Sequence, residues 1–394
     1  MVKLTKKNLE VISTKLEKRI KKLRTTSLRY FVTASQHFLY LPMLKKRILV
    51  APLNWGLGHA TRCIPIIREL SNQNFEPVIA SDGAALELLK KEFPELEHYM
   101  LPSYNIQYPK NSLLFTWKLL SQTPHILRNI LAEKKAILHL VQTKNISGII
   151  SDNRWGVRSN LVPSVFVTHQ IKVLSGFTTW LSSKIQLNYI RKFDECWVPD
   201  ISDHPNLSGK MGHLKNRGFP VKYLGIISRL EKKVIPKQFD ILVLLSGPEP
   251  QRGILENLMF EKLKALDAEI LMVRGVIEEK QVFGKKDNFS IYNFLQTDDL
   301  ENALNRSNLV ICRSGYTSLM DLAKLEKRAF LIPTPGQYEQ EYLARRLKKL
   351  KLLPSSTQKK FKVQDLKEVE NYKGLSGFAA GTDLSGIFAL FKGK

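Results

Sequence analysis

A chain of 394 residues, 43% hydrophobic and 25% charged, has the make-up of a soluble globular protein and the length for two ordinary domains. No uninterrupted apolar run approaches the roughly 18–20 residues that span a bilayer. The formal net charge of +25 favours polyanions, anionic lipid surfaces or phosphorylated substrates. Nucleic acid is set aside, because Lys and Arg are spread along the chain and no RNA- or DNA-binding motif accompanies them. A cytoplasmic membrane surface accounts for the same charge at least as well. Cys63, Cys196 and Cys312 are scattered, with neither a disulfide framework nor metal-ligand spacing, which suits a reduced, cytoplasmic protein.

Residues 1–43 differ from everything after them. They carry ten Lys and Arg against Glu10 and Glu17, a net of +8. Leu9, Ile12, Leu16, Ile20 and Leu23 recur at the spacing of a basic amphipathic helix. Three readings of this extension stay open: an interfacial membrane anchor, a poorly ordered tail, or sequence upstream of a true start at Met43. A secretory signal does not fit, since Arg29 interrupts the apolar part.

From Lys45 the chain alternates strands and helices. Strands are predicted at 47–52, 77–81, 148–151, 164–168 and 195–198, and helices at 61–71, 84–92 and, broken at Pro124, 113–143. This β-α rhythm predicts a parallel sheet wrapped by helices. Residues 228–239 turn Lys-rich around Pro236, a hinge. A second series follows, with strands at 240–245, 269–273 and 290–294 and helices at 251–266 and 298–306. The expected organisation is a first domain at 44–230, a second at 236–353 and a polar tail at 354–394.

In open α/β sheets, ligands bind beyond the carboxyl ends of the strands, so the loops there hold the candidate site. Strand 309–312 runs into Arg313-Ser314-Gly315 and a helix start. Free backbone N–H groups and the helix dipole make this an anion site, and Asp321, about one turn in, is placed to hold sugar hydroxyls. A plain strand-turn-helix reads the same way. The first loop, Asn54-Trp55-Gly56-Leu57-Gly58-His59, lets the backbone approach a ligand and offers His59 as a general base. It is not a dinucleotide fingerprint, because Ala60 or Thr61 stands where the last glycine would fall. After the next central strand, Asp152 either orients a base or caps a helix. Asn54, Gly56, Gly58, Arg62, Asn153 and His169 are candidates for the acceptor side. The turn Ser246-Gly247-Pro248 is small enough for a phosphate or sugar to approach its backbone.

Together these loops resemble the GT-B glycosyltransferases, above all the bacterial peptidoglycan N-acetylglucosaminyltransferase group of family 28. The run from Asp298-Asp299-Leu300 to Cys312-Arg313-Ser314-Gly315 parallels that family's DD-to-CRSG segment, and Leu331-Ile332-Pro333 with Gln340-Glu341 follows in order. The chain departs from the family at Asp321, where the family has Glu, and at Glu341, where it has Gln. Its first loop, lacking the extra glycines, lies nearer to uncharacterised bacterial members.

The resemblance implies an α/β fold of GT-B type, two doubly wound Rossmann-like domains with an interdomain cleft. It implies an inverting, metal-independent transfer from a UDP-linked sugar to a hydroxyl acceptor, with no cofactor. By position, Asp321 matches the residue on the donor ribose, Thr297 the base reader, and Arg313, Ser314 and Gly315 the diphosphate turn. Ser246 and Gly247 match the turn opposite, and Gln340, with Glu341 after it, the donor-sugar residues. His59, with Asp152, is the expected catalytic pair. A lipid-linked acceptor and peripheral contact with the inner face of the plasma membrane suit the charge. Two alternatives share the fold or the ligand: a non-hydrolysing nucleotide-sugar epimerase and a non-catalytic nucleotide-sugar-binding protein.

Overall fold

A computed structural model describes residues 45–104, 123–214, 218–276, 278–379 and 382–393, with Thr14, Lys18 and Lys21 before them. The expectation for residues 1–43 lies outside the described residues apart from those three positions, which are helical. Residues 46–394 form one compact unit. Among the described residues no helix is long and apolar enough to cross a membrane.

The unit is built on two sheets. The first contains β1 (Arg47–Pro52), β2 (Glu76–Ser81), β3 (His98–Met100), β4 (Ile146–Asp152), β5 (Ser164–Val167), β6 (Glu195–Val198) and β7 (Val221–Tyr223). Their order is β3-β2-β1-β4-β5-β6-β7 and every pairing is parallel. Strands covered by helices on both faces read as unbroken apolar runs, and Ile48, Leu49 and Val50 are accordingly fully buried. Helices α1 (Leu57–Asn72), α2 (Gly83–Glu92), α3 (Thr123–Thr143) and α4 (Thr179–Ile190) connect the strands. Helix α1 starts four residues before its predicted position, because Gly56 (φ 78°) turns the chain straight out of the loop. His59 therefore sits in its first turn.

The second sheet contains β8 (Phe239–Leu244), β9 (Ile270–Val273), β10 (Phe283–Lys286), β11 (Phe289–Tyr292), β12 (Ser307–Cys312) and β13 (Arg328–Leu331). Its order is β10-β11-β9-β8-β12-β13, parallel except for the edge pair β10–β11. Helices α5 (Gln251–Leu263), α6 (Thr297–Arg306), α7 (Tyr316–Lys324) and α8 (Tyr338–Lys349) wrap it. In each sheet the winding reverses beside the first strand, between β1 and β4 and again between β8 and β12. Loops leaving those two strands diverge, which opens a crevice at the strand ends.

The tail is less polar in effect than its composition suggests. Its last helix, α9 (Ala389–Lys392), returns to the first sheet. Phe388 lies edge-on to Phe75 and Trp197, at ring separations of 6.0 and 5.8 Å, and Phe391 fills the space left by Gly148. Lys46 Nζ donates to the carbonyls of Phe391 and Lys392 at 3.1 and 2.8 Å.

Candidate functional site

The register of β1 against β4 pairs Pro52 with Asp152, so the first loop and Asp152 emerge side by side at the crevice. His59 Nδ1 lies 2.8 Å from Asp152 Oδ1. Arg62, one turn further along α1, forks both carboxylate oxygens of Asp152, and Cys63 Sγ stands 3.7 Å from Oδ2. Arg62 Nη2 is also 2.7 Å from His59 Nδ1. Asp152 and Arg62 thus both hold the Nδ1 edge of the ring, and Nε2 is the nitrogen left over. No described residue takes Nε2.

Burial works against the charge on Asp152, yet Arg62 and His59 outweigh it and hold the carboxyl far below its ordinary range. For His59 burial dominates, Arg62 adds to it, and the imidazole pKa is lowered. The result is a neutral imidazole aimed by an ionised carboxylate.

The network continues across the cleft. Arg62 Nη1 donates to His169 Nδ1 at 2.9 Å, so His169 Nε2–H donates to Glu339 Oε1 at 2.9 Å. Gln170 Nε2 donates to the other oxygen of Glu339. His169 also stacks on the ring of Tyr316, 4.2 Å apart and 7° from parallel. Glu339 and Tyr316 belong to the second half, and neither was expected from the sequence. An acidic residue directly before Gln340 was the available signal for Glu339; nothing marked Tyr316.

At the second sheet, the carboxyl end of β12 delivers Ser314 and Gly315 to the start of α7. Ser314 Oγ donates to Gln340 O at 2.8 Å, which ties that start to α8. Arg313 does not face the crevice. Its guanidinium donates to the carbonyls of Ile332, Pro333 and Gln251 at 3.2, 3.2 and 2.7 Å, and burial lowers its pKa to about 10. These bonds commit Nη1 and Nη2 to backbone carbonyls. Arg313 pins three strand-end loops from beneath, because a buried guanidinium takes the nearest unpaired carbonyls.

Other expected positions turn partly inward. Gln340 Oε1 accepts from Thr334 N and Glu341 Oε1 from Gly336 N, each at 2.9 Å, closing the loop before α8. Asn54 donates to Asp82 Oδ2 at 3.2 Å and accepts from Ala85 N at 3.2 Å, so its amide braces α2 instead of reaching into the cleft. Asn153, at φ 57°, turns the chain after β4. Ser246 and Gly247 stand open to solvent, Gly247 at φ 95° with free space where a side chain would be.

Asp321 Oδ1 accepts from Ser228 Oγ at 2.5 Å. Burial raises its pKa to about 6 against the opposing pull of Ser228 and Arg229. Arg229 Nη1 donates to Thr297 Oγ1 at 2.9 Å, and Thr297 Oγ1 reaches Glu92 of α2 at 3.3 Å. The segment read as a hinge thus supplies two polar groups beside Asp321.

The halves also touch where the first loop meets the start of α7. Thr317 Oγ1 donates to Gly58 O at 3.3 Å, and a Cβ on Gly58 would lie 2.7 Å from that hydroxyl. Gly58→Ala should therefore push the halves apart and lower turnover about 10²-fold, the cost of displacements near 1 Å. Gly58→Ala/Thr317→Ala should recover most of the loss, and steady-state kinetics of the three proteins check it. A double variant no better than the single one would refute the steric reading.

Among the described residues no three His, Cys, Asp or Glu side chains converge as a metal site.

Residues 252–370 match the glycosyltransferase family 28 C-terminal domain. An uncharacterized glycosyltransferase of Methanopyrus kandleri is 23% identical over 293 residues, 71% of this chain and 83% of its own length. The UDP-N-acetylglucosamine–N-acetylmuramyl-(pentapeptide) pyrophosphoryl-undecaprenol N-acetylglucosamine transferase of Glaesserella parasuis is 23% identical over 310 residues, 76% and 81% of the two chains. Among solved structures, the glycosyltransferase SnogD from Streptomyces nogalater superposes with a TM-score of 0.56 at 14% identity, covering 84% of this chain and 92% of its own. With its two Rossmann-like α/β halves, the chain is a GT-B fold glycosyltransferase distantly related to the family 28 branch.

Proposed function

We propose that the chain transfers a sugar, with inversion, from a UDP-linked donor to an acceptor hydroxyl. The observation that carries this reading is the 2.8 Å contact between His59 Nδ1 and Asp152 Oδ1 at one switch point, facing a helix start at the other. The acceptor hydroxyl gives its proton to His59 Nε2 as its oxygen attacks the anomeric carbon. The bond from that carbon to the diphosphate breaks, and the electron pair leaves with the diphosphate. Its charge meets the free N–H groups at the start of α7, in loops that Arg313 holds in place. Glu339 and His169, joined across the cleft, lie where the two substrates would meet. The first half takes the acceptor and the second the donor. A net charge of +25 supports a lipid-linked acceptor at an anionic membrane face.

Asp321 is placed to hold the ribose hydroxyls through its ionised form. Donor affinity should then fall as pH drops through about 6, since protonation removes acceptor capacity from the carboxylate. Asp321→Asn should weaken UDP binding about tenfold at pH 8 and flatten that pH dependence. Calorimetric titration with UDP at pH 5 and pH 8 reads both effects. An unchanged affinity would remove Asp321 from the donor site.

Screening UDP-sugars by thermal shift, then mass spectrometry of products from a lipid extract, tests the activity itself. Stabilisation by a UDP-sugar followed by an acceptor product is expected. A sugar altered with donor alone would instead report an epimerase, and binding without turnover on any acceptor pool a non-catalytic protein.

A further inference from the structure

The apolar residues of α4 are split between its two faces. Ile190 is buried on the inner side, but so are Ser183 and Gln186, while Trp180, Leu181 and Ile185 are exposed. Phe177, in the short turn Gly176–Thr178 before the helix, is fully exposed, and Trp180 is 72% exposed. Phe177, Trp180, Leu181, Lys184 and Ile185 recur at the i, i+3, i+4, i+7, i+8 spacing of one helical face. The inner face is held by hydrogen bonds instead. Ser183 Oγ donates to Val173 O at 3.2 Å. Gln186 Nε2 donates to Gln170 O at 3.3 Å, and Gln186 Oε1 accepts from Trp155 Nε1 at 2.7 Å. Single exposed apolar residues are ordinary, but four large ones gathered on one face mark an interaction surface.

Charge identifies what this face meets. Between Asp152 and Asp194 the chain carries no Asp or Glu, yet beside the buried Arg154 it carries Arg158, Lys172, Lys184, Arg191 and Lys192. Lys184 Nζ lies 5.1 Å over the Trp180 ring, an ammonium at the edge of an apolar body. Aromatic and aliphatic side chains rimmed by cations alone suit the boundary of an anionic bilayer. A second copy seated face to face would bring like charges together. A fully exposed side chain at a turn also projects, and so enters a soft surface more readily than it lines a groove.

The face stands at the rim of the crevice. Gly176, at φ 65°, lets its turn rest on the second half, since a Cβ there would lie 2.7 Å from Tyr338 Cζ. Tyr338 directly precedes Glu339, which Gln170 reaches from beneath α4.

We propose that the outer face of α4, with Phe177 and Trp180 as anchors, docks the protein on an anionic lipid bilayer. The apolar side chains enter the headgroup boundary, and the surrounding cations meet lipid phosphates. The crevice rim is then held where a lipid-linked acceptor presents its head group. That purpose rests on the transfer reading above; the docking itself does not.

The full chain is floated with vesicles of phosphatidylcholine, with and without phosphatidylglycerol. Phe177→Ser/Trp180→Ser removes the two anchors, and Val234→Ser/Val282→Ser removes two exposed apolar side chains elsewhere as a control. Partition onto phosphatidylglycerol vesicles should fall about tenfold or more in the first variant and stay unchanged in the control. Melting temperature and UDP affinity should match the parent protein in both. Trp180→Phe should float as the parent does, yet lose most of the quenching of tryptophan fluorescence by brominated acyl chains. Equal flotation of the parent and Phe177→Ser/Trp180→Ser, or quenching that persists in Trp180→Phe, overturns the proposal. So does a parent protein that does not float but forms a dimer in sedimentation that Phe177→Ser/Trp180→Ser abolishes. Flotation needs neither donor nor acceptor, so its failure is distinct from a failure of sugar transfer.

Discussion

His59→Ala is expected to lower sugar transfer about 10²–10⁴-fold, the usual worth of a positioned general base, while UDP binding stays within twofold. The separation follows from geometry, because His59 belongs to the first half and the proposed donor contacts to the second. His59 is also the group whose titration should appear in the rate. Its pKa is pushed down by burial first and by Arg62 second, so the acid limb of kcat/KM should fall below the ordinary histidine value of about 6.5. Below that limb the imidazole is protonated and cannot accept the hydroxyl proton. His59→Ala should abolish the limb along with the rate. Transfer that survives undiminished would show that the base lies elsewhere. Asp152→Asn makes a poorer test, since it strands the Arg62 guanidinium, 4% exposed, without its carboxylate.

A second large effect is expected in stability, at a residue with no proposed contact to substrate. Arg154 is fully buried and donates to Glu133 Oε1 at 2.7 Å, Asp82 Oδ1 at 2.6 Å and Pro102 O at 2.6 Å. Glu133 also accepts from Tyr104 Oη at 2.6 Å and Gly156 N at 2.9 Å. This cluster ties together the loops that leave β2, β3 and β4, directly under the crevice. Removing one partner of a buried ion pair typically costs about 3–5 kcal/mol. Arg154→Ala should therefore lose that much in urea denaturation at pH 8. Its pH dependence has a definite sign. Burial already raises the Glu133 pKa, and without Arg154 it rises further above the unfolded value. The variant is then favoured at low pH, where Glu133 is protonated in both states, and loses ground as pH rises through that range. The gap to the parent protein should be smaller at pH 5 than at pH 8. A loss below about 1 kcal/mol at both pH values would mean that water reaches the cluster.

Much of the architecture was legible beforehand because it rests on local patterns. The central strands are buried on both faces and read as apolar runs, and the strands of β1, β2, β4, β8 and β12 fall within a residue or two of where those runs stand. Short edge elements were not legible. Strands β3 and β7 are three residues each, β10 is fully exposed, and α4 carries no clear apolar stripe. For such segments tertiary pairing, not local preference, selects the conformation.

The candidate site divides along the same line. Gly58, His59, Asp152 and Ser314 could be placed beforehand at or just past the strand ends, where open sheets bind ligands. Direction was not identifiable. Arg313 and Asn54 sit in the right loops, yet their side chains turn to backbone carbonyls and to Asp82, partners drawn from other loops of the chain. Glu339, Tyr316, Ser228 and Arg229 enter the picture only when the halves are folded together.

The amino-acid order by itself determined that two β-α series would wind into two parallel sheets, and that each would present a glycine-bearing loop at its switch point. Apolar periodicity and turn chemistry act over a few residues, so they can be read from a single chain. Tertiary structure alone decided which polar side chains meet. His59 pairs with a carboxylate 93 residues away, and His169 with one 170 residues away. Such contacts depend on strand register and on how the halves pack, and these are set by the whole core at once.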